Sequence, residues 1–125
     1  MFLALTEVGG HLQGATIARK IVDLLADRQA EDILLLDIRR VTVFADYFVI
    51  ASAPTVRQMR ALSDAIDSEL AKDGITPYGR EGESASGWVL LDLGDVIVHI
   101  FGPEERHFYD LEGLYRQATP VVRIQ

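Results

Sequence analysis

The chain has 125 residues, a net charge of −7 with only 12 lysines and arginines, and no cysteine. That length suits one domain with a real core, and 49% hydrophobic with 25% charged residues is the composition of a globular protein. The acidic field disfavours phosphate backbones and suits a basic partner surface. Disulfide and thiolate chemistry are excluded, no apolar run approaches a bilayer span, and no signal-peptide pattern opens the chain, so the expectation is a cytoplasmic protein with no membrane contact.

Residues 1–14 show no sustained period and contain Gly9-Gly10, which reads as a frayed lead-in with His11 exposed. From Ala15 to about Arg28, Ile17, Ile21, Val22, Leu24 and Leu25 recur at helical spacing, which predicts an amphipathic helix. The run ILLLDI and the segment Asp46 to Ser52 predict two adjacent strands covered on both faces. Thr55 followed by Gln58 is a capping-box signature. The helix it opens should bury Val56, Met59, Leu62, Ile66 and Leu70 and stop at Gly74. Ile75 to Tyr78 is a weak strand candidate, and residues 79–86 read as a polar loop.

Two apolar runs, Trp88 to Leu91 and Val96 to Phe101, flank Asp92-Leu93-Gly94-Asp95 and predict a hairpin. A type I′ turn would force Leu93 to positive φ. A three-residue loop with only Gly94 left-handed avoids that strain and is the expected form. Both faces of the ribbon carry large apolar groups, so one is left to be covered from outside. Gly102-Pro103 ends the second strand, and Pro103-Glu104-Glu105 suits the first turn of a short helix. Phe108, Leu111, Leu114 and Tyr115 continue at helical spacing, and residues 117–125 read as a tail. The expected architecture is a single α/β domain over residues 15–116, with a mixed sheet of about five strands packed by helices.

Most catalytic spacings are missing: there is no phosphate-cradling glycine loop, no zinc-binding histidine pair on one helix turn and no nucleophile elbow. The histidines at 11, 99 and 107 have no metal spacing, and His99 reads as a strand residue with a hydrogen-bond partner. Asp46, Asp92 and Asp95 could in principle converge on a divalent metal for nucleotidyl transfer. Aspartates beside glycine are also what a tight turn prefers on local grounds, and that reading is favoured. Phe101 and Phe108 are expected in the core, whereas Trp88 and Tyr109 combine ring surface with a polar atom, the profile of interface anchors.

Taken together, DYFVIAS at 46–52, RQM at 57–59, EG at 81–82, WVLLDLGDVIVHIF at 88–101 and RHFYDLE at 106–112 resemble the ribosomal silencing factors, the Iojap-related family. The resemblance implies a fold related to nucleotidyltransferases but without catalysis, and no metal or cofactor. It implies binding to the large ribosomal subunit through its protein number fourteen. The small subunit then cannot join, and translation is repressed when nutrients are scarce. It also implies homodimers and little direct nucleic-acid contact. Carried over residue by residue, the partner-binding positions are Trp88, Asp92, Asp95, His99, Arg106, Tyr109 and Glu112. Ala45 stands where the family usually has threonine and Tyr115 where tryptophan is frequent. The rival reading is a metal-dependent nucleotidyltransferase using Asp46, Asp92 and Asp95.

Overall fold

A computed structural model describes residues 14–125, so of the lead-in expected over residues 1–14, residues 1–13 with His11 lie outside the described part, and Gly14 is the first residue of a helix. The elements in order are α1 (Gly14–Asp27), β1 (Glu31–Asp37), β2 (Tyr47–Ser52), α2 (Val56–Lys72), β3 (Gly79–Glu81), β4 (Trp88–Asp92), β5 (Val96–Phe101), α3 (Pro103–Tyr109), α4 (Leu111–Leu114) and β6 (Thr119–Ile124), with a 3-10 turn at Ser84–Ser86 before β4. The strands form one mixed sheet of six in the order β3-β4-β5-β2-β1-β6. Only β2 and β5 run parallel; every other neighbour is antiparallel.

The two central strands read from ILLLDI and DYFVIAS pair as expected, with Leu35 opposite Val49. β2 lies between β5 and β1, and β1 is central because of an element the sequence did not signal. Residues 119–124, expected within a tail, pair with β1 and make a sixth strand, with Val122 opposite Leu35. The weak strand expected at 75–78 lies instead at 79–81, inside the stretch read as loop, and forms the opposite edge.

Strand alternation divides the apolar residues into two cores. The larger lies under α1 and α2: Ile17, Ile21 and Leu25 of α1 and Met59, Leu62, Ile66 and Leu70 of α2 meet Val49, Leu91, Val98 and Ile100 of the sheet. The other face carries a smaller core of Leu34, Leu36, Phe48, Ile50 and Phe101, closed by Ile38, Ala45, Leu111 and Ala118. Among the described residues, no long helix lies over it. The periodic α2 behaves as expected except at Val56, which stays exposed at the first turn.

The Thr55 hydroxyl accepts from the Gln58 N–H at 3.0 Å, which is half of the anticipated capping box. The Gln58 amide does not reach back. It donates to the Gln29 carbonyl at 3.2 Å and ties the start of α2 to the α1–β1 turn.

The hairpin turn corrects the expected loop. Asp92 pairs with Ile97 and the Leu93 N–H bonds to the Val96 carbonyl at 2.9 Å, so Gly94-Asp95 is a two-residue loop. Gly94, at the first central position, has φ +89, as a type II′ turn requires. Leu93 is therefore spared positive φ without an extra residue.

Candidate functional site

The face of the hairpin turned away from the long helices presents Trp88, Leu90 and Asp92 from β4 and Ile97, His99 and Phe101 from β5. Their neighbours Val89, Leu91, Val96, Val98 and Ile100 point into the larger core. Trp88 stacks on Phe101 with ring centroids 5.0 Å apart and meets Tyr109 of α3 at 4.6 Å. Its indole N–H donates to His99 Nδ1 at 3.2 Å, which leaves the His99 proton on Nε2. His99 is only 3% exposed and is packed edge-on against Phe48 at 4.7 Å. Burial pushes its pKa down to about 4, so the imidazole is neutral. It has the hydrogen-bond partner foreseen for a strand histidine, and it supports Trp88 from behind without reaching the surface.

Two glycines hold α3 in place. A Cβ at Gly87, which has φ +85, or at Gly102 would run into the Glu105 side chain, and the Gly102 N–H bonds to the Gly87 carbonyl at 2.9 Å. Glu105 thus sits in the niche between the two strand ends. Tyr109, one helical turn on, lies over Trp88. The helix predicted to continue through Tyr115 breaks at Asp110, whose φ is +44, and α4 restarts with the Asp110 carboxylate accepting from the Gly113 N–H at 3.2 Å. The break turns Phe108 outward. Expected in the core, it is 79% exposed and meets the Tyr109 ring edge-on at 5.0 Å.

Arg106 and Glu112, carried over as partner-binding positions, hold each other. Arg106 Nε and Nη2 both reach Glu112 Oε2 at 3.1 Å, while Nη1 donates to Ser52 Oγ at 2.9 Å and to the Asp32 carbonyl at 2.6 Å. The Arg106 side chain is 10% exposed. This arrangement fastens α3 and α4 to the ends of β1 and β2, and it commits most of the guanidinium's five N–H donors within the chain.

Asp92 and Asp95 lie at the far end of the hairpin, four strand residues or about 13 Å from Trp88. Asp92 accepts from the Gly94 N–H at 2.9 Å, the local turn chemistry expected of it. Asp95 is exposed, and its carbonyl accepts from the N–H groups of Asp46 and Tyr47 at 2.8 and 3.0 Å, stitching the tip to the β1–β2 loop. Among the described residues, no group of three or more His, Asp and Glu side chains is placed to hold a metal, so Asp46, Asp92 and Asp95 do not form such a centre.

That loop supplies residues missed in the sequence. Val43 and Phe44 are 97% and 83% exposed, next to Ala45, which is buried in the smaller core. Their signal was an apolar VTVFA connecting two strands that already had enough apolar residues to fill their own faces. Leu114 and Phe108 are exposed as well, at 75% and 79%. A shallow groove of about 230 Å³ runs beside Trp88, Leu90 and Tyr109, with Glu81 at its rim.

The chain matches the family model described as "Ribosomal silencing factor during starvation" over residues 12–125. It is 41% identical over 92 residues to the ribosomal silencing factor RsfS of Bacillus subtilis, spanning 74% of this chain and 78% of that protein. It is 32% identical over 98 residues to the mouse "Mitochondrial assembly of ribosomal large subunit protein 1", spanning 76% of this chain but 43% of that protein. A crystal structure of a Chromobacterium violaceum protein superposes with a TM-score of 0.80 at 30% identity, covering 91% of this chain and 95% of that one. A Bacillus halodurans structure does so at 0.70 and 31%, covering 86% and 95%. On this sequence and structural likeness, the chain belongs to the ribosomal silencing factor family.

Proposed function

We propose that the protein docks on the large ribosomal subunit through its protein number fourteen and, by occupying ground the small subunit needs, represses translation under nutrient limitation. The observation that carries this reading is the thinly covered sheet face, where Trp88 and Tyr109 form an aromatic anchor beside exposed apolar side chains. Aromatic anchors of this kind dominate protein interfaces. A net charge of −7 suits a basic ribosomal protein better than ribosomal RNA, so docking is protein to protein. The printed name of the mouse relative points to the large subunit as the class of partner.

Of the positions carried over by resemblance, Trp88, Tyr109 and Asp95 are proposed as direct contacts, with Asp92 shaping the tip. His99, Arg106 and Glu112 act from within by holding the contacts in place. Val43, Phe44 and Phe108 join the docking face. Blocking requires a bound body and no turnover, so no catalytic residue, metal or cofactor is assigned. In the free protein, which acts in the cytoplasm, the same apolar face is offered to a second copy, forming a homodimer.

Sedimentation of mixed ribosomal subunits tests the reading. Trp88→Ala should weaken blockade of joining by about 30-fold or more, the loss of roughly 2 kcal/mol expected of an aromatic hot spot, while circular dichroism shows the fold retained. Phe44→Ser should weaken it without loss of stability, since that ring is solvent-exposed. Undiminished blockade by both variants would overturn the assignment of this face.

A further inference from the structure

A second cavity, of about 380 Å³, lies on the other side of α3. Its position in the fold singles it out. The parallel strands β2 and β5 are neighbours, and the helices that follow them part: α2 packs into the larger core, while the segment of α3 and α4 places Leu111 in the smaller one. Crevices outside the carboxyl ends of strands, where successive connections leave to opposite faces, are the sites at which open α/β sheets bind small ligands. The cavity opens at this point, and its volume falls in the usual range for small-molecule pockets.

Its walls are charged with both signs. Arg106 forms a rigid back wall, fixed by Glu112, Ser52 and the Asp32 carbonyl. Glu112 Oε1 is buried and has no hydrogen-bond partner among the described residues, which leaves one acceptor in want of a donor. Arg123, on β6, also lines the cavity and has no ion-pair partner among the described residues; nor do Glu31, Asp32 and Asp110, which line it too. Unpaired charges of both signs around one crevice suit a ligand that carries both. A phosphate would meet four carboxylates as well as Arg106, Arg123 and His107, and a simple diamine would leave Arg123 unanswered.

We infer that this crevice binds a free α-amino acid, its carboxylate on Arg123 and its ammonium on Glu31 and Asp32, with basic side chains favoured by Asp110. Occupancy is felt across α3. Arg106 and Asp110 face the cavity, whereas Glu105 and Tyr109 face the hairpin, and Tyr109 lies on Trp88. That transmission to the aromatic face rests on the docking reading above; the binding site itself does not.

Titration calorimetry on the full chain tests the site, with L-lysine, L-arginine, L-glutamate, putrescine and inorganic phosphate as separate probes. The chain has a single tryptophan, so Trp88 fluorescence reports the movement of α3 in the same titrations. Saturable binding of lysine or arginine is expected. Affinity should fall at least tenfold in Arg123→Ala and in Glu31→Gln, both exposed positions whose replacement spares the core, and N-acetyl-lysine amide should not bind. The inference is overturned if no amino acid binds, if putrescine or phosphate binds as well as lysine, or if Arg123→Ala binds lysine unchanged. None of these results depends on ribosomal subunits, so failure here leaves the docking reading standing, and failure of Trp88→Ala to affect subunit joining leaves the titration intact.

Discussion

Replacing Arg106 with alanine should damage stability and leave the docking face chemically unchanged. The guanidinium makes charge-assisted bonds to Glu112 and further bonds to Ser52 Oγ and the Asp32 carbonyl. Each such bond to a charged group contributes roughly 1.5–3 kcal/mol net. They are not additive, and Glu112, with its side chain 30% exposed, can turn towards water once its partner is gone. A loss of about 2–4 kcal/mol follows, of the size found when one member of an enclosed ion pair is removed. In urea, with a slope of about 2 kcal/mol per molar, that is a midpoint lower by about 1–2 M. Arg106→Lys keeps the charge but loses the fork and should recover less than half of the deficit. Lys72→Ala, which breaks only the exposed pair with Glu69, should change stability by under about 0.5 kcal/mol. A loss below about 1 kcal/mol for Arg106→Ala would refute the view of this residue as an internal clamp.

Acid should weaken the fold through His99. Its folded pKa, about 4, lies below the ordinary value of 6.5, so the unfolded chain takes up the proton first as pH falls. Stability is unaffected above pH 6.5 and declines between 6.5 and 4, by up to about 3 kcal/mol from this residue. The difference between the wild type and His99→Phe across that window, measured by denaturant titration, isolates the effect from the carboxylates; a difference that does not change with pH would refute it. Gly94→Ala should lose about 1–2 kcal/mol or more, because alanine resists φ +89 and its Cβ would lie 2.7 Å from the Tyr78 ring. An unchanged thermal midpoint would refute that. Asp95→Lys should slow association with large subunits and make it less sensitive to salt in stopped-flow measurements, as expected of an exposed charge at an interface rim.

Periodicity made α1, α2, β1, β2 and the hairpin legible, because each buries a full face against the larger core. The segment TPVVRI was not, since an edge strand pairs on one side only and leaves most of its side chains in water, so its sequence carries little alternation. The turn was misjudged by one residue because Gly94 serves equally well in either loop; only the pairing of Asp92 with Ile97 decides. At the candidate site, residue type pointed to Trp88 and Tyr109. It could not separate a polar residue that faces a partner from one that faces its own chain, as Arg106 and Glu112 do, since that depends on the break at Asp110. Phe108 was misplaced for the same reason.

The late strand β6 has a further bearing on how the chain avoids self-association. β1 is a run of Ile33, Leu34, Leu35 and Leu36, all buried, and without β6 one side of its backbone would be an open, strongly apolar ladder. Such an edge is a template for aggregation. β6 covers it and replaces it with an edge interrupted by Pro120, irregular in register beside it, and charged at Arg123. Pairing across most of the sequence closes the longest loop in the sheet, so this protection arrives late in folding. A nascent chain halted before residue 119 therefore carries its stickiest strand unguarded.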